Sequence, residues 1–363
     1  MKKLIKICLI VLVAALATAF AGFAMTGFDT DAFVHFANVT TDADYQLVNE
    51  TVADSGFNSV VIKTVDEQVV LKPSADDDFH LSYYITTEDS TRVTQTAELS
   101  TNDGVLKLEI KNKQKWFTIN LTVAVQKPLT VEIPASYLGG IDIVTTNSDI
   151  TANLANNFNS VRFKTTNGDV TANGFSVVKD FIINSINNGI TVSGISCDSF
   201  TAATTNGRVS VEDSAVTDKC ELRTSNGSIT VSSTSCDSFT AATTNGKVSV
   251  EDSAVTGKCE LRTSNSSITV TDSSFGSLKV HTTDGKIGLS SVTSDKIEAD
   301  TSNSSIDIAV NGAYESYRTE VRTSNSTIRI NGTTHKNGTI NPSAPNLLTA
   351  KTTNGSITIT FTS

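Results

Sequence analysis

The 363 residues are 38% hydrophobic, enough for a sizeable core, but only 6% aromatic, which suits a thin core better than a thick globular one. Acidic residues outnumber basic ones 38 to 28, the net charge is −10, and no Lys/Arg run lies beyond Lys2, Lys3 and Lys6, so nucleic acid is excluded as an expected partner. The histidines (His35, His80, His281, His335) are scattered and no metal-type Cys/His spacing occurs, so no metal or cofactor is expected.

In chain order, residues 1–28 open with Met1-Lys2-Lys3 and Lys6, then 22 residues without charge from Ile7 to Phe28. That is an export signal or a signal-anchor with its positive end inside. The stretch is long enough to span a bilayer, and Ala19-Phe20-Ala21 or Gly22-Phe23-Ala24 would serve for cleavage. Both outcomes are expected of an exported chain: single-pass anchoring through residues 7–28 with the C-terminal part outside, or secretion. Residues 29–56 read as an acidic, polar spacer. Residues 57–135 are β-rich without repeating, with strands expected at Ser59–Thr64, Gln68–Lys72, His80–Thr86, Arg92–Leu99, Val105–Ile110, Phe117–Val125 and Thr130–Ile133. They form an opening segment that caps or continues the repeat region.

Residues 136–363 repeat. The phrase Thr-Thr/Ser-Asn-Gly/Ser-x-Ile/Val returns about an anchor at Asn147, Asn167, Asn187, Asn206, Asn226, Asn245, Asn265, Asp284, Asn303, Asn325 and Asn354. A period near 20 residues marks a solenoid. Counting from the anchor, positions −6, −4, +3 and +5 are apolar and alternate with polar ones, so each unit holds two strands of period two. The Asn-Gly between them reads as a turn because both residues tolerate positive φ. Like charges fall on alternate units: Glu212, Ser232, Glu251, Thr271 at +6 and Arg223, Ala242, Arg262, His281 at −3. Direct stacking of like charges would repel. An internal duplication explains the alternation, since Cys197–Val231 and Cys236–Val270 match at 32 of 35 positions. The expected fold is all-β, a parallel β-helix of about eleven units that would span about 50 Å at strand spacing.

Cys220 and Cys259 occupy the inward −6 column and are expected as small buried hydrophobes. Cys197 and Cys236 lie near a corner, where a bridge such as Cys197–Cys220 would need a lateral offset.

The apolar N-terminal segment, openings such as Val60-Val61-Ile62-Lys63 and Leu106-Lys107-Leu108-Glu109-Ile110, and the Thr-Ser/Thr-Asn-Gly-x-Ile/Val units together resemble the bacterial putative-adhesin family of β-strand-repeat surface proteins. The resemblance covers roughly residues 57–363 and implies a non-enzymatic, extracytoplasmic protein with a β-helical body. Some relatives are thought to sense envelope stress, so a membrane-anchored sensor is the alternative. No catalytic residues come with the family.

Three features invite chemistry. Asp149 and Asp169, at +2 on adjacent units, are the best acidic pair for a polysaccharide-active site or a cation. The Asn and Thr columns offer a regular hydroxyl and amide array. The period breaks around Tyr314, Tyr317 and Arg318, and again at the insert Asn331–Asn346 with His335; such insertions leave a solenoid as surface loops suited to ligand contact. The expected ligand is a glycan, a matrix protein or an envelope component. Self-association is also expected, through a last coil whose edges nothing covers.

Overall fold

The computed structural model describes residues 45–86, 93–114 and 127–362. The chain forms two compact units. Among the described residues the smaller takes in 45–47, 84–86, 93–96, 112–114 and 127. Within it the Lys127 ammonium lies over the rings of Tyr45 and Tyr84, 5.0 and 4.6 Å from their centroids, a cation–π arrangement.

The larger unit is the solenoid. One coil shows the plan. Strand Lys219–Arg223 leads through the Thr224–Gly227 turn into strand Ile229–Ser232, then a corner at Ser233, a two-residue strand Ser235–Cys236, and the next coil. Each strand pairs in parallel with its equivalent one unit on: Val209 with Ile229, Ile229 with Val248, and Cys220 with Phe239. The register places Glu212, Ser232, Glu251 and Thr271 side by side, so like charges are separated by a neutral residue as the alternation requires.

Apolar positions −6, −4, +3 and +5 face inward and are buried along the stack. The N-terminal part of the core carries a run of packed rings, in which Phe181 meets Phe163 and Phe175 edge-on at centroid distances of 5.9 and 5.4 Å and stacks on Phe200 at 5.1 Å. Further along, Cys220 and Cys259 take the same column and are buried. All four described cysteines are free. Burial pushes the Cys197 and Cys236 thiols up to about 12, and Cys220 and Cys259 well above the ordinary value.

The Asn-Gly turn does not use positive φ. The left-handed residues sit seven positions past the anchor, after the second strand: Asp213, Ser233, Asp252 and Asp272, with φ of 47–48°. Short polar side chains tolerate that region better than β-branched ones. A buried hydroxyl next to each corner fastens it. Ser253 Oγ donates to Glu251 O at 2.7 Å and accepts from Thr234 N at 3.3 Å on the coil before. Glycine at +1 serves close approach instead. A Cβ on Gly285 would stand 1.5 Å from the carbonyl oxygen of Ser266 in the preceding coil.

The opening segment continues the stack. Ser59–Lys63 and Val69–Pro73 pair with Gly140–Val144 and Ile150–Asn153, while Val105–Gln114 and Leu129–Ile133 pair on their other side. Two coils thus join the eleven anchored ones, giving thirteen among the described residues. The described part of the expected spacer, 45–56, holds a strand, Tyr45–Ala53, with Asn49 accepting from Ser82 Oγ at 2.8 Å. The expected strand at Phe117–Val125 lies outside the described residues, as does the apolar segment 7–28. Among those described, no helix is long and apolar enough to cross a membrane.

Both ends depart from chain order. At the N-terminal end the outermost pair of stacked strands, Val105–Gln114 and Leu129–Ile133, is the second in sequence. At the C-terminal end, Asn346–Lys351 and Ile357–Thr362 insert between the coil ending at Asn311 and the coil 317–330. The last coil in sequence is therefore next to last in space. The expected open edge is corrected accordingly: the outermost coil is covered by antiparallel strands, Thr333–His335 on Ile328–Ile330 and Gly338–Ile340 on Thr319–Val321. At the other end Asp78–Thr86 runs antiparallel to Leu129–Ile133. The insert 331–346 is an edge cap, because unpaired edge amides and carbonyls demand partners.

Candidate ligand-binding surface

Most of the polar side chains that suggested chemistry hold the coils together. Threonine at −2 is buried. Thr282 Oγ donates to Ser266 O at 2.9 Å on the coil before, and Gly285 N donates back to Thr282 Oγ at 3.2 Å. The expected Thr hydroxyl array is thus inside the turn. The anchor asparagines are exposed but bonded along the stack, as in Asn226 Nδ2 to Asn206 Oδ1 at 2.7 Å. The ladder keeps to spatial order, with Asn354 donating to Asn303 and Asn325 to Asn354. Asp284 accepts from Asn303 at 2.6 Å, but a carboxylate has no N–H to donate back to Asn265.

Asp149 and Asp169 form no shared site. Asp149 Oδ1 accepts Asp169 N and Asp169 Oδ1 accepts Gly189 N, each at 2.7 Å, so both carboxylates cap backbone of the next coil. Arg162 lies nearby in sequence but pairs with Asp142, at 2.7 and 3.0 Å.

Of the expected contact residues, Tyr317 is corrected to a core residue. It is 3% exposed, its hydroxyl donates to Ser294 O at 2.8 Å, and its ring lies 5.4 Å from Phe361. A one-turn helix, Tyr314–Ser316, sets Tyr314 against the same ring at 5.5 Å. Arg318 pairs with Glu320 at 3.3 Å, and His335 sits opposite Ile328 in the edge cap. The structure does not bring these four together at one surface spot.

What does face outward as a set is the strand leading into each turn. Column −7 reads Lys219, Ser238, Lys258, Ser277, Lys296; column −5 reads Glu221, Thr240, Glu260, Lys279, Glu298; column −3 reads Arg223, Ala242, Arg262, His281, Asp300. Lys219 and Arg223 flank Glu221, and Lys258 and Arg262 flank Glu260. The two glutamates are 16% and 18% exposed, the four cations 50–65%, so the cations stand proud of the carboxylates. The sequence showed the alternation but not this difference in height.

Hydrogen bonds from Lys219 and then Arg223 hold Glu221 below the usual carboxylate range; Arg262 leads the same effect on Glu260. A carboxylate depressed in the folded state adds stability that is complete above its ordinary value and lost as pH falls through the depressed one. Melting temperature is therefore expected to begin falling as pH drops below 4.5, the ordinary glutamate value. Because these pairs are near the surface the decline should be modest and weaker in high salt. Melts that do not change across that range would contradict it.

The geometry defines a class, the parallel β-solenoids whose coils are joined by buried hydroxyls and an asparagine ladder. The chain belongs to the Toastrack DUF4097 family, which it matches over residues 57–199 and 190–360. It is also similar to solved structures. One is described as a putative adhesin from Parabacteroides merdae (13% identity, TM-score 0.40, covering 69% of this chain and 96% of that one). Another is described as a putative adhesin from Bacteroides fragilis (12% identity, TM-score 0.31, 89% and 99%). A third is described as a putative lipid binding protein from Parabacteroides distasonis (13% identity, TM-score 0.37, 71% and 98%). No functional weight rests on likeness of this degree. No curated protein matches the chain.

Proposed function

We propose that the chain is a non-enzymatic, exported surface protein that works by display, holding fixed columns of side chains against an extracytoplasmic ligand. The observation that carries this reading is the division of labour among its repeated polar groups. The −2 threonines and anchor asparagines bind coil to coil, while the outward cations of the −7 and −3 columns remain half exposed on a rigid sheet. Such a face offers many weak contacts in a fixed geometry with little ordering cost. The sensor alternative would need the intact N-terminal anchor and the spacer 29–56 to relay state.

The test is a binding screen of the purified protein against glycans, matrix proteins and cell-wall material, with soluble sugar release measured in parallel. Saturable binding without release is expected, and Asp149→Asn/Asp169→Asn should leave it unchanged. A screen blank at high micromolar protein would count against display. Sugar release that the double substitution abolishes would replace display with catalysis.

A further inference from the structure

We infer that the outward face of the strands leading into the turns, from Lys219–Arg223 to the C-terminal coils, is a docking strip for a linear carboxylated polysaccharide. This deepens the display reading and rests on it. Seven successive coils in the stack contribute the outward positions 219–223, 238–242, 258–262, 277–281, 296–300, 347–351 and 318–322. They carry nine Lys/Arg and five Asp/Glu, and nine minus five leaves +4 on a chain whose net charge is −10.

The charge is separated by side. The neighbouring corner carries exposed Asp213, Asp218, Asp237, Asp252 and Asp272, and the segments that run from that corner to the −7 column, 213–218, 233–237, 252–257, 272–276 and 291–295, contain no Lys or Arg. A polyanion is therefore drawn to one side of the solenoid and repelled from the next. Height reinforces sign: the cations of the Lys219 and Lys258 triads stand above their glutamates, so an approaching ligand meets positive charge first. Glu221 and Glu260 act as positioning residues that fix the cations beside them.

Spacing selects among polyanions. The triads at Glu221 and Glu260 are two coils apart, about 10 Å at strand spacing, with the short Ser238, Thr240 and Ala242 between. A linear glycan with one carboxylate per disaccharide on a given side presents charge at a comparable interval and lays its sugar rings over the small residues between. A polyphosphate, charged at every link, has no use for that gap. Further along the strip a groove lies between Glu298 and Glu320, with Thr349 between them in register and Asp300, Lys279 and Lys351 also lining it. It supplies hydroxyl acceptors as well as cations.

The experiment measures Kd of the full chain for polygalacturonate, its fully methyl-esterified form and inorganic polyphosphate, at low and physiological salt. The test variant is Lys219→Ser/Arg223→Ala/Lys258→Ser/Arg262→Ala, whose replacements are the residues that the interleaved coil already carries at Ser238 and Ala242. A second variant, Ser238→Lys/Ala242→Arg, adds cations to that coil. Polygalacturonate is expected to bind in a salt-sensitive way, at least tenfold more weakly to the first variant and more tightly to the second. The ester should not bind, and polyphosphate should bind less well. Equal binding by parent and first variant, or by acid and ester, overturns the assignment. Tighter binding of polyphosphate reduces the strip to unselective ion exchange and overturns it too. If polygalacturonate fails while other ligands in the screen bind, only the strip is lost; if the whole screen is blank, display falls with it.

Discussion

Replacing Phe181 with Ala is expected to cost about 3–5 kcal/mol, the range for deleting a large buried aromatic side chain. The ring is 0% exposed and is packed by three others, from Phe163, Phe175 and Phe200. Phe163 and Phe200 belong to the coils on either side, so the cavity opens at an interface between coils as well as within one. In a stack of repeats that interface is what couples neighbours. Hydrogen exchange should show the loss as lower protection in strands Val161–Lys164 and Ser196–Ala203, with distant coils such as Ile306–Asn311 little changed. A loss below about 1 kcal/mol would mean the rings are loosely packed.

The second large effect comes from one methyl group. Gly285→Ala would put Cβ 1.5 Å from Ser266 O, the carbonyl that already receives the Thr282 hydroxyl at 2.9 Å. Neither partner can retreat cheaply. The obstacle is backbone, and moving it breaks the hydrogen bond that seats coil on coil. The expected cost is about 3 kcal/mol, the upper part of the range for overpacking. Gly288→Ala, three residues on, is the control: nothing lies within 4 Å of its Cβ, and its φ is not in the left-handed region. It should be neutral or slightly stabilising. Denaturant midpoints for the two variants decide the matter, and similar values would remove close approach as the reason for glycine at +1.

The repeat made the two main strands of each coil legible, because apolar inward and polar outward residues alternate there, with few breaks such as the buried Thr319 at −6, and the alternation survives in single copies. The third side was not legible. Its inward positions include Val177, Cys197 and Val216 beside buried Ser214 and Ser253, a mixture with no clean period. The corner was misplaced for a related reason. Asn-Gly is the stronger sequence signal for positive φ, whereas Asp213 and Ser233 look like ordinary surface residues until the backbone is seen. Tyr317 is a similar case. An aromatic at a break in the period looks like a loop residue, and only the out-of-order coil that brings Phe361 against it shows why it is buried. The cationic strip was half visible. Its alternation is written in the sequence, but the exposure of Lys219 relative to Glu221 is a matter of side-chain packing.

The reversed ends have a bearing on how the chain is made. A simple solenoid can be wound from one terminus to the other, each new turn settling on a finished template. Here coil 317–330 leaves the ribosome with its seat missing, because residues 346–362, synthesised later, lie beneath it. Thr323 Oγ donates to Gly355 O, and Asn325 to Asn354, both on a more C-terminal segment of the chain. The final turn therefore works as a keystone. It sits between the coil ending at Asn311 and the outer coil with its antiparallel cap, and pairs with both. Vectorial winding gives way at each end to a step that waits for downstream sequence, which ties closure of the edges to the arrival of the residues that fill them.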